Sequence, residues 1–455
     1  VVASITREEH FVNNPQSPVQ LAFEYSNGLG EVIMKKVQAE PGKAKQVIID
    51  ANGLASITEK DTSALNPARL RWIGNGRTIL NNKGNAVKQY EPFFSVSPKF
   101  EDEKELVETG VTPIMYYDAL SRLIKTEMPD GTFSKVKFTS WQQIQYDAND
   151  TVKDSEWYNK RKALPVNDPA RIAAKKTEDH YDTPIQLHFD TLGRPVLQIE
   201  NNGKDAADNP RLIKTGIELD IEGNLRKVTH GRELPENGNN GNVVMQYQYD
   251  MLGNKVYQDS MDSGQRWLLM NCMGNPLRTW DERDHEFQYK YDLLHRPTES
   301  IAINQTGQPG DKILNNIIGR TIYGESEPDA KQKNLRGKPI RVYDTGGLQE
   351  TPEYDFKRQP RSTTRKLFKN YKDVANWTDP NLQTDLENES FTFITETDAL
   401  GRITKQTAPD GSIITPSYNE TGLLNGETVV HSNPSLTTAY IKDIDYNEKG
   451  QRNKI

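Results

Sequence analysis

The stretch from Val244 to Ser300 limits what this chain can fold into more than any other. It reads VVMQYQYDMLGNKVYQDS, then RWLLMNCMGNPLRTWDE, then EFQYKYDLLHRPTES. Three times an alternating segment leads into a four-residue turn, and a second alternating segment leads out. Alternation with a period of two is the mark of a half-buried strand. In the first copy Tyr247 and Tyr249 share one face, Asp250 opens the turn and Gly253 closes it, and Lys255, Val256 and Tyr257 begin the return strand. An Asp at the first turn position accepts hydrogen bonds from backbone N–H groups two residues on. A Gly at the fourth enters the left-handed region at little cost. These residues predict a type I turn with a glycine bulge, a common hairpin connection.

The same unit recurs along the chain. Phe23 to Gly28 is a loose copy, and Ile79 to Val87 uses Asn81 in the Asp role. Tyr117-Asp118 opens a copy that lacks the glycine. Phe189-Asp190 with Gly193 is almost ideal, and Asp220 with Gly223 follows it. Within the central trio Gly274 closes the second turn and Tyr291-Asp292 opens the third. Weaker versions lie at 333–343 and 354–361. Asp398 with Gly401 restores the full pattern, and Tyr418 with Gly422 and Tyr446 with Gly450 end the series. Regular copies lie roughly 20 to 30 residues apart, the spacing of a repeat architecture. Asp118–Thr132 and Asp398–Ser412 also share a Pro-Asp-Gly turn signal at the same distance from the leading Asp. The unit is turn, strand, turn, strand: an antiparallel meander.

Composition restricts how such a meander can pack. Hydrophobic residues make up 34% and mean hydropathy is −0.79, against about 45–50% apolar for an ordinary globular chain when Gly is counted. Aromatic residues nevertheless recur at strand spacing (19 Tyr, 13 Phe, 6 Trp), unlike a disordered chain. A long mainly β sheet one layer thick, wet on much of both faces, satisfies both observations. The right-handed twist of strands then makes it coil into a curved, hollow wall.

Between Trp141 and Tyr181 the pattern turns helical. Asp154 or Ser155 can cap Glu156–Ala163, Pro165 ends that segment, and Asp168-Pro169 is a second helix start. The expected organisation is strands over 1–140, a small helical insertion over 141–186, and strands again over 187–455. A second irregular stretch, Tyr371 to Ser390, reads as a long loop. The chain opens at Val1 without a signal-like segment and stops just after a turn at Gly450. It is therefore expected to be an internal piece, with its export route not visible.

Chemistry-bearing motifs are sparse. His285-Glu286 begins an HExxH-like string, but Tyr289 stands where the second His must be. Asp147, Asp150 and Asp154 lack the spacing of a calcium loop. Gly28-x-Gly30 and Gly74-x-Gly76 lack the third glycine of a dinucleotide loop, and neither GxxxxGK[ST] nor GxSxG occurs. Cys272 is the single cysteine, which excludes an intrachain disulfide and a cysteine-built zinc site. A net charge of −7 with interspersed signs gives no basic footprint for nucleic acid, and no run of about 18 apolar residues spans a membrane. No cofactor, metal or catalytic residue is expected, and the chain is not expected to be an enzyme.

The repeats resemble the YD or Rhs repeat family, which includes Rhs polymorphic toxins, insecticidal Tc toxins and the teneurins. The resemblance is clearest in FDTLGRPV, YDMLGNKV and TDALGRIT and covers nearly the whole chain from about Phe23. A narrower likeness, in Gly76–Ser95, in YYDALSRLIKTEMPDGT and in Trp141–Tyr158, is to the B component of Tc complexes, in the part after its propeller. The helical insertion is where that family interrupts its repeats. The resemblance implies a structural shell segment, part of a secreted or released bacterial toxin, that encloses the cytotoxic region of a YD-repeat C component. Such a shell docks on a pore-forming A component. This sequence shows no propeller-like segment, autoprotease core or toxin domain. A teneurin-like adhesion or glycan-binding module is the alternative.

Overall fold

The computed structural model of the protein describes residues 1–455 other than 29, 51, 53, 54, 111, 232–241, 306–309, 311, 379–384 and 433–435. From Ile114 onward the period-two segments become one antiparallel sheet of 23 strands. It begins at Ile114–Tyr117, ends at Thr437–Ile441, and places every strand beside its sequence neighbours. Strands hold 49% of the residues and helices 6%. The register slips by one residue beside most Asp-x-x-Gly turns, as between His188 and Phe189 or Gln248 and Tyr249, which is the bulge that such a turn imposes.

Between Ile185 and Ile301 this sheet has no dry core; farther on, Tyr343, Leu348, Ala375, Trp377 and Leu386 form one, and Ala330, Leu335, Ile340 and Tyr354 a second. Among the described residues from Ile185 to Ile301 not one is buried, although ten strands cross that span. Side chains on both faces are mostly half-covered by their cross-strand neighbours, as in Glu286–Tyr291, where five of six residues are intermediate. That is what a low apolar content permits: each strand is held by its ladder and by lateral side-chain pairs rather than by a second layer.

The first hundred residues depart from a plain meander. They form a separate seven-stranded sheet. Val2–Arg7, Val19–Ser26 and Val32–Ala39 lie side by side, then Arg71–Gly74 and Phe93–Ser95, then Lys43–Ile49 and Ala55–Asp61. Lys45 pairs with Ser95 in parallel. Apolar residues drive this order. Phe93 and Phe94 sit on one short strand too apolar for a one-layer wall, and Phe93 is buried with Met34, Leu106 and Val107. The ammonium of Lys36, fully buried, meets the carboxylate of Glu101 in the same region. The single turn of helix Lys104–Val107 belongs to this unit and lies outside the helical stretch expected from sequence.

The helical insertion is shorter than 141–186. Gln142–Tyr146 alternates and pairs with Ile185–Phe189 (Gln142 opposite His188), so it is strand. The helices are Glu156–Lys162, capped by Ser155 accepting from the Tyr158 N–H, and Pro169–Lys176, capped by Asp168 accepting from the Ala170 N–H. Val152, Tyr158 and Ala174 give the insertion its own small core.

The stretch Tyr371–Ser390 is irregular where described, with 379–384 outside the described residues. It is also an anchor. Trp377, 1% exposed, packs on Tyr343 with ring centroids 5.0 Å apart, and its indole N–H donates to the Asp344 carbonyl at 3.0 Å.

Candidate functional site: the turn rim

Each turn is a small polar lock. In the Asp250 copy the carboxylate Oδ1 accepts from the N–H groups of Leu252 and Asn254, both at 2.9 Å, and Oδ2 accepts from the Asn254 side-chain amide at 2.9 Å. Gly253 donates its N–H to the Asp250 carbonyl at 3.1 Å and lies at φ 79°. Where the residue after the fourth turn position is Arg, its Nε replaces the amide. Arg122 on Asp118, Arg194 on Asp190 and Arg296 on Asp292 each donate at 2.7 Å, and Arg402 on Asp398 at 2.6 Å. Asp220 takes Asn224 in the same way. A carboxylate bound by two or three N–H donors is held below the usual carboxylate range. At Asp190 the Arg194 backbone N–H leads, opposed by desolvation and joined by the Arg194 guanidinium. At Asp250 the Asn254 side chain leads.

The fourth position is left-handed throughout: Gly193 at φ 75°, Gly223 at 95°, Gly274 at 76°, Gly401 at 86°, Gly422 at 84° and Gly450 at 70°. Glycine is preferred there without being required. Ser121 follows Asp118 at φ 63°, and His295 follows Asp292 at 58°. Asp284 takes the position after Asp281 at 61°, and His285 then pairs with Asp281 through Nδ1 at 2.9 Å. The HExxH-like string is thus the end of a turn and the start of a strand. Asp147, Asp150 and Asp154 likewise serve local structure: Asp147 caps the Asn149 and Asp150 N–H groups, Asp150 accepts from Thr183, and Asp154 from the Tyr181 hydroxyl. Among the described residues no three His, Cys, Asp or Glu side chains are grouped to hold a metal ion.

The aromatic residue before each turn ties neighbouring hairpins together. Counting the first turn residue as one, Tyr249, Tyr291 and Tyr418 each donate their hydroxyl to the carbonyl of the sixth residue of the preceding turn unit. The acceptors are Leu225 at 2.9 Å, Pro276 at 2.8 Å and Ile403 at 2.9 Å. Tyr117 to Ala86, Tyr323 to Pro297, Tyr354 to Pro339 and Tyr446 to Leu424 repeat the bond. Phe189 has no hydroxyl and keeps only the packing. The Arg of one turn also lies under the ring of the next, Arg296 at 3.9 Å from the Tyr323 centroid and Arg402 at 4.6 Å from that of Tyr418. Burial raises the hydroxyl pKa of Tyr249, Tyr291 and Tyr418 above its ordinary value, so each stays a donor.

The turns opened by Asp190, Asp220, Asp250, Asn271, Asp292, Asp398 and Asn419 line one edge of the sheet, with the Asp281 turn on the other, and the last turns of the chain close on the first unit. The Ala399 N–H donates to the Glu8 carbonyl at 2.9 Å, and Arg402 pairs with the Glu8 carboxylate at 3.1 Å. Asn419 and Thr421 reach Glu40 at 3.3 Å, and Lys449 reaches Glu91 at 2.7 Å. Residues more than 350 positions apart meet, so the long sheet curves round until its end lies on the beginning. The second Asp oxygen, the tyrosine bond and this closure were not foreseen. The first was signalled by the Arg or Asn that follows so many glycines; the closing acids carry no signal.

Comparisons with known proteins agree with this architecture. No family model matches the chain. Toxin subunit YenC2 of Yersinia entomophaga is 26% identical over 240 residues, 49% of this chain and 24% of that protein. The crystal structure of TcdB2-TccC3 has a TM-score of 0.80 at 24% identity, and the Photorhabdus luminescens Tc holotoxin pore with a TccC3 mutation 0.81 at 24%. Each superposition covers 99% of this chain and 20% of the other. The chain therefore spans a quarter or less of the length of the relatives it matches. The fold is that of the shell in these Tc toxin structures. Its turn chemistry resembles that of YD/Rhs repeats.

Proposed function

We propose that this chain is a wall segment, of the B-component type, in a Tc-like toxin shell. The shell encloses the cytotoxic region of a partner C component before delivery through a pore-forming A component. The observation that carries the proposal is the wall itself: a long antiparallel sheet with no buried residue described between Ile185 and Ile301, whose last turns meet the separate first unit. Such a wall holds water or cargo on its concave side. Its role in this reading is passive containment and not catalysis, and the complete toxin is released from the cell. The likeness to TcdB2-TccC3 supports a C-type partner.

The test is co-expression of the full-length protein with a YD-repeat partner that carries a toxin domain, followed by limited proteolysis. The toxin region is expected to resist digestion in the complex and to be cut when the wall is opened by denaturant. Full digestion in the intact complex refutes containment. Cell-surface or glycan binding by the full-length protein with no protected cargo favours the adhesion alternative.

A further inference from the structure

One patch of the sheet has more aromatic surface than the ladder uses. Tyr257 lies opposite Trp267, Trp267 opposite Trp280, and Trp280 opposite Glu286, so the four side chains form a row across one face. The rings of Tyr257 and Trp267 are 5.6 Å apart, and Trp267 is 39% exposed. Trp267 and Trp280 wall a cleft of about 780 Å³ with Asp281, Asp284, Glu286 and Gln288. Three carboxylates and two indoles line it, and no Lys, Arg or His does. Arg278 pairs with Glu286 and His285 with Asp281 from outside that lining, and Asp284 too has a partner.

Some other rings of the sheet have one of its own cations over them: Lys125 lies 4.5 Å from the Phe133 centroid, and Lys255 lies 4.5 Å from that of Tyr247. Among the described residues no Lys or Arg lies over Tyr257, Trp267 or Trp280. Indole faces attract cations through the ring quadrupole, and neighbouring carboxylates add to that attraction. We propose that the cleft between Trp267 and Trp280 binds an organic cation, an ammonium or guanidinium group, that takes the place a Lys or Arg of the chain takes at other rings. The volume suits a small ligand or one side chain of a bound polypeptide. The site stands on this geometry alone and does not depend on the shell reading.

The test uses the intact chain labelled with 5-fluorotryptophan and observed by fluorine NMR. Tetramethylammonium and Nα-acetyl-arginine amide serve as probes, with neopentyl alcohol and maltose as neutral controls. The Trp267 and Trp280 resonances are expected to shift saturably with the cations and not with the neutral compounds. Trp280→Leu should weaken binding about two- to fivefold, the range for one exposed ring. Because that variant also alters packing, Asp284→Asn and Glu286→Gln provide a second arm. Asn tolerates the left-handed backbone of residue 284, and both changes should weaken cation binding with the spectrum otherwise unchanged. Equal cation response in all variants overturns the proposal. So does binding of maltose in place of the cations, which makes the cleft a saccharide site.

Discussion

Replacing Gly253 by Val isolates what the turn conformation is worth. The residue sits at φ 79°, and a Cβ placed there meets only the Asn224 side-chain oxygen, at 3.8 Å. Space is open, so the cost is conformational. An L residue in the left-handed region costs roughly 1–2 kcal/mol, and a β-branched one lies at the upper end. Asn visits that region readily, so Gly253→Asn should cost a few tenths of that. A one-layer repeat sheet opens locally rather than all at once, so the assay is native-state hydrogen exchange of the hairpin Val244–Ser260. Exchange at Leu252 and Asn254 should accelerate about 5- to 30-fold in Gly253→Val and much less in Gly253→Asn. Equal acceleration in the two variants would refute the reasoning, because it would mean that space and not φ limits the position.

Other outcomes follow from the same geometry. Tyr249→Phe removes the donor to the Leu225 carbonyl and should cost about 1 kcal/mol, read as faster exchange in the hairpins on both sides of that bond but not beyond them. Asp190, Asp220, Asp250 and Asp292 are held below the usual carboxylate range. Their contribution is fully present above about pH 4 and is lost as pH falls through the lower folded values; an acid titration by circular dichroism should show strand loss starting below pH 4 and not near neutrality. Glu8→Gln and Arg402→Ala each break the partly buried closing pair and should loosen Val2–Arg7 together with the Asp398 turn, measured by exchange, while the central hairpins stay unchanged. Trp377→Ala removes a fully buried anchor and should destabilise the region around Tyr343 and Leu348 by about 3–5 kcal/mol, read as local proteolysis.

The meander was legible because its determinants are local. Asp250, Gly253 and the alternating Tyr247 and Tyr249 specify a hairpin within a dozen residues, and the pattern repeats. Trp377 was not legible as an anchor, since a tryptophan in an Asp- and Pro-rich loop shows no period. The order of the first sheet depends on Phe93 and Phe94 meeting Met34 and Ala39, contacts across more than 50 residues that no local pattern encodes. The rim closure through Glu8, Glu40 and Glu91 is of the same kind: three ordinary surface acids become partners only because the accumulated twist of the sheet returns its end to its beginning.

Electron cryomicroscopy of the full-length protein, alone and with a partner C component, tests the central claim most directly. The account predicts a wall one sheet thick around a solvent-filled interior, with added density inside it when the partner is present. Two sheets packed face to face over a dry core, or partner density confined to the outer surface, would contradict it.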